Sequence, residues 1–268
     1  MTIPTNPAAL AVLADGCLNG RSALVTGGGS GIGRASALLL ARLGAKVAVT
    51  GRREEELAET AALAAAAGYE HLILPVSCDV REPENVDALL DEVLAKNEYI
   101  DVLVNNAGGQ FMAPAESISY NGFRAVTRLN LDATWYVTTQ VASRSMIERG
   151  YGKIVSITMT PRRGLPGMSH SSAARAGVES LTRTLSVEWG KYGIRTAAIA
   201  PGIVHTAAWE RYGLDPEMMG GKMPTNRLQS ADDVASLVGF LVSPGGDCIP
   251  GATIVADGAC ENMYPRGN

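Results

Sequence analysis

Along this chain, short apolar runs alternate with longer stretches whose apolar residues recur at helical spacing. The short runs are Ser22 to Thr26, Lys46 to Thr50, Ile73 to Cys78, Val102 to Asn105, Lys153 to Thr158, Arg195 to Ala200 and Thr253 to Ala256, and they predict strands. The longer ones lie near Gly33 to Leu43, Glu54 to Ala67, Pro83 to Lys96, Gly122 to Glu148, Ser171 to Tyr192 and Ala231 to Val242, and they predict helices. Strand, helix and strand in succession make a βαβ unit, and its repetition predicts an α/β fold. The expected architecture is a Rossmann-type doubly wound sheet of about seven parallel strands flanked by helices, in a single domain. Ala61 to Ala67 joins this pattern as a closely packed helix beside Leu57 and Leu63.

A chain of 268 residues is long enough for one sizeable core. The domain is expected over 20–262, with an N-terminal extension over 1–19 and a polar C-terminal tail over 263–268. Within it, 205–228 carries glycines, three methionines, Trp209 and Tyr212 with weak periodicity. That stretch suits a cover over a substrate pocket and equally an ordinary surface loop. With 46% hydrophobic and 19% charged residues, the chain reads as globular. Its net charge of -4 and dispersed Lys and Arg argue against nucleic acid or an anionic membrane as partner, leaving a small-molecule substrate. Cys17, Cys78, Cys248 and Cys260 are too far apart for a metal motif or a disulfide framework, so free thiols and no metal are expected. The first residues lack the pattern of a signal peptide, and a cytoplasmic location is the expectation.

The clearest chemistry follows the first strand. Thr26-Gly27-Gly28-Gly29-Ser30-Gly31-Ile32-Gly33 leads directly into a helix. A pyrophosphate needs close backbone approach, freedom for positive φ and unpaired N–H groups at a helix start, and this segment offers all three. After the second strand stand Gly51, Arg52 and Arg53, where an acidic residue would grip a ribose 2′-hydroxyl; two arginines there favour a 2′-phosphate, hence NADP(H). Pairing of one arginine with Glu54 to Glu56 is the competing use. Asp79, next to Val80 after the third strand, is placed either to accept from an adenine amino group or to shape a turn.

These segments, with Asn105-Asn106-Ala107-Gly108, Asn130, Pro201-Gly202 and Asp257-Gly258, resemble the short-chain dehydrogenase/reductase superfamily along nearly the whole chain. The resemblance implies that Asn106, Ala107 and Gly108 border the adenosine side of the cofactor. It also implies that Ile203 and Thr206, beyond Pro201 and Gly202, meet the nicotinamide carboxamide and phosphates. Asn105 to Phe111, His170 to Val178 and Leu185 to Trp189 most resemble the peroxisomal trans-2-enoyl-CoA reductase and 2,4-dienoyl-CoA reductase branch.

The superfamily's catalytic Tyr-x-x-x-Lys helix is altered here. Ser171 stands at the tyrosine position and Arg175 at the lysine position. Ketone reduction makes an alkoxide that a phenol of lowered pKa normally protonates, and serine is a far poorer acid. Reduction of an enoyl thioester leaves an enolate, which fixed hydrogen-bond donors can stabilise. The sequence therefore points to an NADPH-dependent reductase of the C=C bond of an α,β-unsaturated acyl-CoA. An NADP-dependent alcohol or ketone dehydrogenase and a catalytically impaired cofactor-binding protein stay open.

In that scheme Arg175, one turn after Ser171, holds the nicotinamide ribose, while Ser171 donates to the substrate carbonyl. His170 is a candidate proton donor or a structural helix-start residue. Thr158 and Thr160 are candidate hydroxyl donors or plain strand-end residues. Asn130 either holds a water or mends helix hydrogen bonds. Arg124, Arg162, Arg163 and Lys222 could attract CoA phosphates or be solvated surface. By resemblance, the helices near Gly122 to Glu148 and Ser171 to Tyr192 assemble a homotetramer.

Overall fold

The computed structural model describes residues 13–160, 164–206 and 215–263. Strands β1 (Ser22–Thr26), β2 (Lys46–Gly51), β3 (Ile73–Ser77), β4 (Val102–Asn105), β5 (Gly152–Ile157), β6 (Ile194–Pro201) and β7 (Thr253–Ala256) form one sheet. Its order is β3-β2-β1-β4-β5-β6-β7, and every pairing is parallel. Three strands keep their expected bounds, and the other four shift by a residue at one or both ends. The central strands β1, β4 and β5 are buried along their whole length, because helices cover both faces of a parallel sheet. The edge strand β7 is only partly covered.

Helices α1 (Gly31–Arg42), α2 (Glu54–Ala66) and α7 (Ala231–Val242) cover one face. Leu39, Leu40, Leu43, Leu57, Val234 and Val238 fill that layer against Val25, Val47 and Val104. Gly239 of α7 lets α1 approach closely, since a Cβ there would lie 3.0 Å from Leu39. A reciprocal capping box starts α7: the Asp233 amide donates to Ser230 Oγ at 3.2 Å, and the Ser230 amide to Asp233 Oδ2 at 2.8 Å.

The other face is covered by α3 (Pro83–Asn97), a long helix α4, and α5 (Ser169–Glu188). α4 runs from Tyr120–Thr127 through a π segment Arg128–Asp132, an α segment Ala133–Val141, a second π segment Ala142–Met146 and Ile147–Arg149. Sequence periodicity predicts its length and not the π segments, which add a residue per turn locally without breaking the apolar stripe. Gly150, at φ 65°, ends it. The expected covering stretch contains a short helix, α6 (Pro216–Gly221), and its base is tied by backbone bonds from His205 N to Gln229 O and from Gln229 N to Ile203 O. Trp209, Tyr212, Arg162 and Arg163 lie outside the described residues, as does most of the expected N-terminal extension.

Charges fasten the amino-terminal edge of the sheet. Asp101, fully buried, accepts from Ser22 N at 3.3 Å and from Arg149 Nε at 3.3 Å, while buried Lys153 pairs with Asp247. All four cysteines are free, as expected. Among the described residues no helix is long and apolar enough to cross a membrane. Leu103, completely buried in β4 between the two layers, sets the scale of core stabilisation. Leu103→Ala is expected to lower unfolding free energy by about 3 kcal/mol in urea titration, without loss of two-state behaviour.

Candidate active site

The parallel sheet reverses its winding between β1 and β4, and the crevice above their carboxyl ends is the natural ligand position in such a fold. The two strand ends are clasped there. Thr26 Oγ1 accepts from the amides of Asn106 and Ala107, each at 3.0 Å. Asn106 Nδ2 donates back to Thr26 O at 3.0 Å and Gly27 O at 3.1 Å. Gly27 has φ +65°, and a Cβ on Gly33 would lie 2.1 Å from Gly27 O, so the turn folds flat against the start of α1 only with glycine at both places. Ser30 is the N-cap of α1 but its side chain makes no cap bond, and the first turn holds no acidic residue. The uncapped amides of a glycine-lined helix start fit a pyrophosphate.

Arg34 braces this turn from behind, with Nε donating to Gly29 O at 2.9 Å and to Thr60 Oγ1 at 3.1 Å. Sequence reasoning missed it; the available signal was one charged residue in the opening turns of an otherwise small, apolar helix. On the far side Thr206 packs against Gly31, whose Cβ would lie 3.2 Å from it. The segment leading there is set by Gly202, whose amide donates to Gln229 Oε1 at 2.8 Å and which faces Asp257 too closely for a side chain. Pro201, Gly202, Ile203 and Thr206 thus reach the same crest as the glycine turn.

At the carboxyl ends of β2 and β3 the arginines divide. Arg53 pairs with Glu56 at 2.6 Å, the competing use foreseen for one of the two. Arg52 makes no ion pair among the described residues. Asp79 is gripped by Arg81, whose Nε donates at 2.9 Å and whose Nη2 makes a second, shorter contact, with the Arg81 amide adding a bond at 3.1 Å. The Arg81 guanidinium, helped by Arg52, holds the Asp79 carboxyl below its ordinary range. Val80 turns inward, where it lines a small cavity with Thr26, Asn105, Ala107 and Leu129.

α5 presents Ser171, Arg175 and Glu179, spaced one turn apart, on a single buried face. Ser171 Oγ donates to Gln110 Oε1 at 3.0 Å and lies 3.4 Å from Met159 Sδ. Arg175 Nη1 donates to Ile157 O at 2.6 Å, while its Nε has no hydrogen-bond partner among the described residues. Burial pushes its pKa down to about 10, which leaves it charged at neutral pH. Nη2 comes so close to Gly108 that a Cβ there would lie 2.1 Å away, and Asn130 Oδ1 closes on the same point at 2.7 Å.

Asn130 sits in the first π segment of α4. Its Nδ2 donates to Val126 O at 2.8 Å, mending the helix, and to Gly109 O at 2.7 Å, while Oδ1 accepts from Gly109 N at 3.2 Å. It therefore pins the loop that carries Gln110. His170 is fully buried: Nδ1 accepts from Ser171 N at 2.8 Å, Nε2 has no hydrogen-bond partner among the described residues, and the ring meets Phe111 edge-on at 4.4 Å. Thr158 touches this group only through Glu179, its hydroxyl lying 3.5 Å from Oε1, and the Thr160 hydroxyl bonds elsewhere. Their hydroxyls donate to Ile199 O and Pro201 O, each at 3.1 Å, which continues the β5–β6 ladder past the strand end. Arg124 and Lys222 are exposed.

A dinucleotide cradle at the switch point, with an inward-facing polar helix beside it, marks a nicotinamide-dependent oxidoreductase. Residues 27–259 match the family model described as enoyl-(acyl carrier protein) reductase. The chain is 38% identical over 252 residues to a probable 2,4-dienoyl-CoA reductase of Bacillus subtilis, covering 91% of this chain and 98% of that protein. Among solved structures it is similar to the citronellol catabolism dehydrogenase of Pseudomonas aeruginosa, with 40% identity, TM-score 0.84, and 93% and 98% of the two chains covered. An actinorhodin polyketide ketoreductase with NADPH gives 31% identity and TM-score 0.86 over 91% and 98%. The chain belongs to the short-chain dehydrogenase/reductase family and is an oxidoreductase.

Gly33→Ala tests the cradle directly. It is expected to weaken nicotinamide dinucleotide binding at least about tenfold in fluorescence titration, because the added methyl and Gly27 O cannot share one place.

Proposed function

We propose that the protein is an NADPH-dependent reductase of the C=C bond of an α,β-unsaturated acyl-CoA. The observation that carries this reading is the hydrogen bond from Ser171 Oγ to Gln110 Oε1, at the position where the family's ketone chemistry uses a phenol. Because Ser171 Oγ donates to Oε1, the Gln110 amide nitrogen is left as the donor of the pair. Such a pair is a weak acid but a good host for the partial negative charge of a thioester enolate. Arg175 adds positive potential, and Asn130 keeps the loop of Gln110 in register. Phe111 and Met112, 39% and 60% exposed, give the site an apolar rim suited to an acyl chain.

The cofactor, when bound, supplies the hydride. Gly27, Gly29, Ser30, Gly31, Ile32 and Gly33 would hold its pyrophosphate, Arg52 its 2′-phosphate, and Thr206 with Ile203 its nicotinamide side. Asn106, Ala107, Gly108, Val80 and Asp79 would border the adenosine. His170, whose Nε2 has no hydrogen-bond partner among the described residues, adjoins Ser171 and is the candidate for returning a proton to the substrate carbon. Relatives named 2,4-dienoyl-CoA reductases support this substrate class. The similarity to a citronellol catabolism dehydrogenase favours a second reading, oxidation or reduction of a terpenoid alcohol or aldehyde on the same site. We also propose a homotetramer built through α4 and α5, where Trp135 and Val187 are exposed.

Purified protein mixed with NADPH is expected to oxidise it with crotonyl-CoA, longer enoyl-CoAs or dienoyl-CoAs, and not with simple ketones. Turnover only with terpenoid aldehydes and NADPH, or with terpenoid alcohols and NADP+, would select the second reading. Gln110→Ala is expected to lower kcat by about 100-fold, as removal of an enolate donor does elsewhere, with little change in thermal unfolding.

A further inference from the structure

We propose that Arg81 is a positioning residue for coenzyme choice: by chelating Asp79 it keeps that carboxylate from repelling a 2′-phosphate and from capturing Arg52. The inference rests on the NADP(H) reading above and goes beyond it, because Arg81 is not itself placed on the coenzyme.

Three arginines and the two carboxylates that pair with two of them meet at the edge where β2 and β3 end. Arg53 is committed to Glu56, Arg81 is committed to Asp79, and of these three arginines only Arg52 makes no ion pair among the described residues. Cys78 N donates to Gly51 O at 2.9 Å, so the segment running into Asp79 lies directly alongside the one running into Arg52. A free carboxylate at that place has two effects. It opposes a dianionic phosphate, and it offers Arg52 a partner inside the protein. Both disfavour the phosphorylated coenzyme, and neither affects one that carries a plain 2′-hydroxyl.

Arg81 removes both effects by geometry. Its Nε reaches both carboxylate oxygens, at 2.9 and 3.1 Å, Nη2 adds a closer contact to one of them, and its own amide donates to the other at 3.1 Å. A planar fork that saturates a carboxylate fixes its orientation as well as its charge. The side chains are only 33% and 21% exposed, so solvent screens the pair less than it would a surface contact. The two residues are separated by Val80 alone, whose buried side chain anchors the turn, so the grip does not depend on a distant element.

The test is equilibrium binding of NADPH and NADH, followed by nicotinamide fluorescence, to the full-length wild type, Arg81→Gln, Asp79→Asn and the double variant. Arg81→Gln is expected to weaken NADPH about tenfold and NADH less than about twofold. Adding Asp79→Asn to Arg81→Gln is expected to return NADPH affinity to within about threefold of wild type, a rescue that a merely structural role for Arg81 would not give. Equal weakening of both coenzymes by Arg81→Gln, or a double variant no better than the single one, overturns the proposal while leaving the NADP(H) reading intact. A wild type that binds NADH at least as tightly as NADPH overturns that reading, and this inference with it.

Discussion

The site depends on one clasp. Two neighbouring parallel strands, β1 and β4, end side by side at the crest of the sheet, and their last backbone groups would face the crevice unpaired. The Thr26 hydroxyl and the Asn106 amide satisfy them crosswise, four bonds linking residues eighty positions apart in sequence. Because buried backbone polar groups are costly to leave unmade, this crossing holds the glycine turn at a fixed height above the sheet. Gly27 and Gly33 then meet without side chains, and the helix start points where the crevice opens. The loop to Gln110 leaves directly from this clasp, and Thr206 packs against the turn that it holds.

The second determinant is a buried cation. Arg175 keeps one arm on the Ile157 carbonyl and wedges the other against Gly108 and Asn130, in a layer almost closed to water. A lysine ammonium would be a point charge on a flexible stem, whereas the guanidinium is flat and spans two loops at once. It serves as a structural tie between β5 and the Asn105–Gln110 segment. Gly108 is the counterpart of that tie, and its lack of a side chain is explained by Arg175 and Asn130 together.

Much of the fold was legible because it rests on local rules. Buried parallel strands are apolar end to end, the glycine turn announces itself by composition, and helices such as Ala231–Val242 carry both a stripe and a cap. What stayed hidden depends on contacts that composition and periodicity do not encode, some between near neighbours and some between distant segments. The π segments of α4 leave no periodicity signal, and the roles of Arg34 and Arg81 follow only from where Gly29 and Asp79 come to lie. Gln110 has no role legible in the sequence, since nothing in its own neighbourhood predicts that Ser171, on another element, turns to it. The sequence pair Arg52 and Arg53 looked equivalent; a single turn of α2 placing Glu56 beside Arg53 separates them.

The bare hydroxyl of Ser30 has a consequence for the life of the protein outside catalysis. A helix start whose amides no side chain among the described residues caps is left incomplete, and an anion seated there completes it. Occupancy is thereby linked to the folding equilibrium by mass action, so the loaded form resists heat and proteolysis better than the empty one. Supply of the dinucleotide would then govern how long each molecule persists, as well as how fast it works.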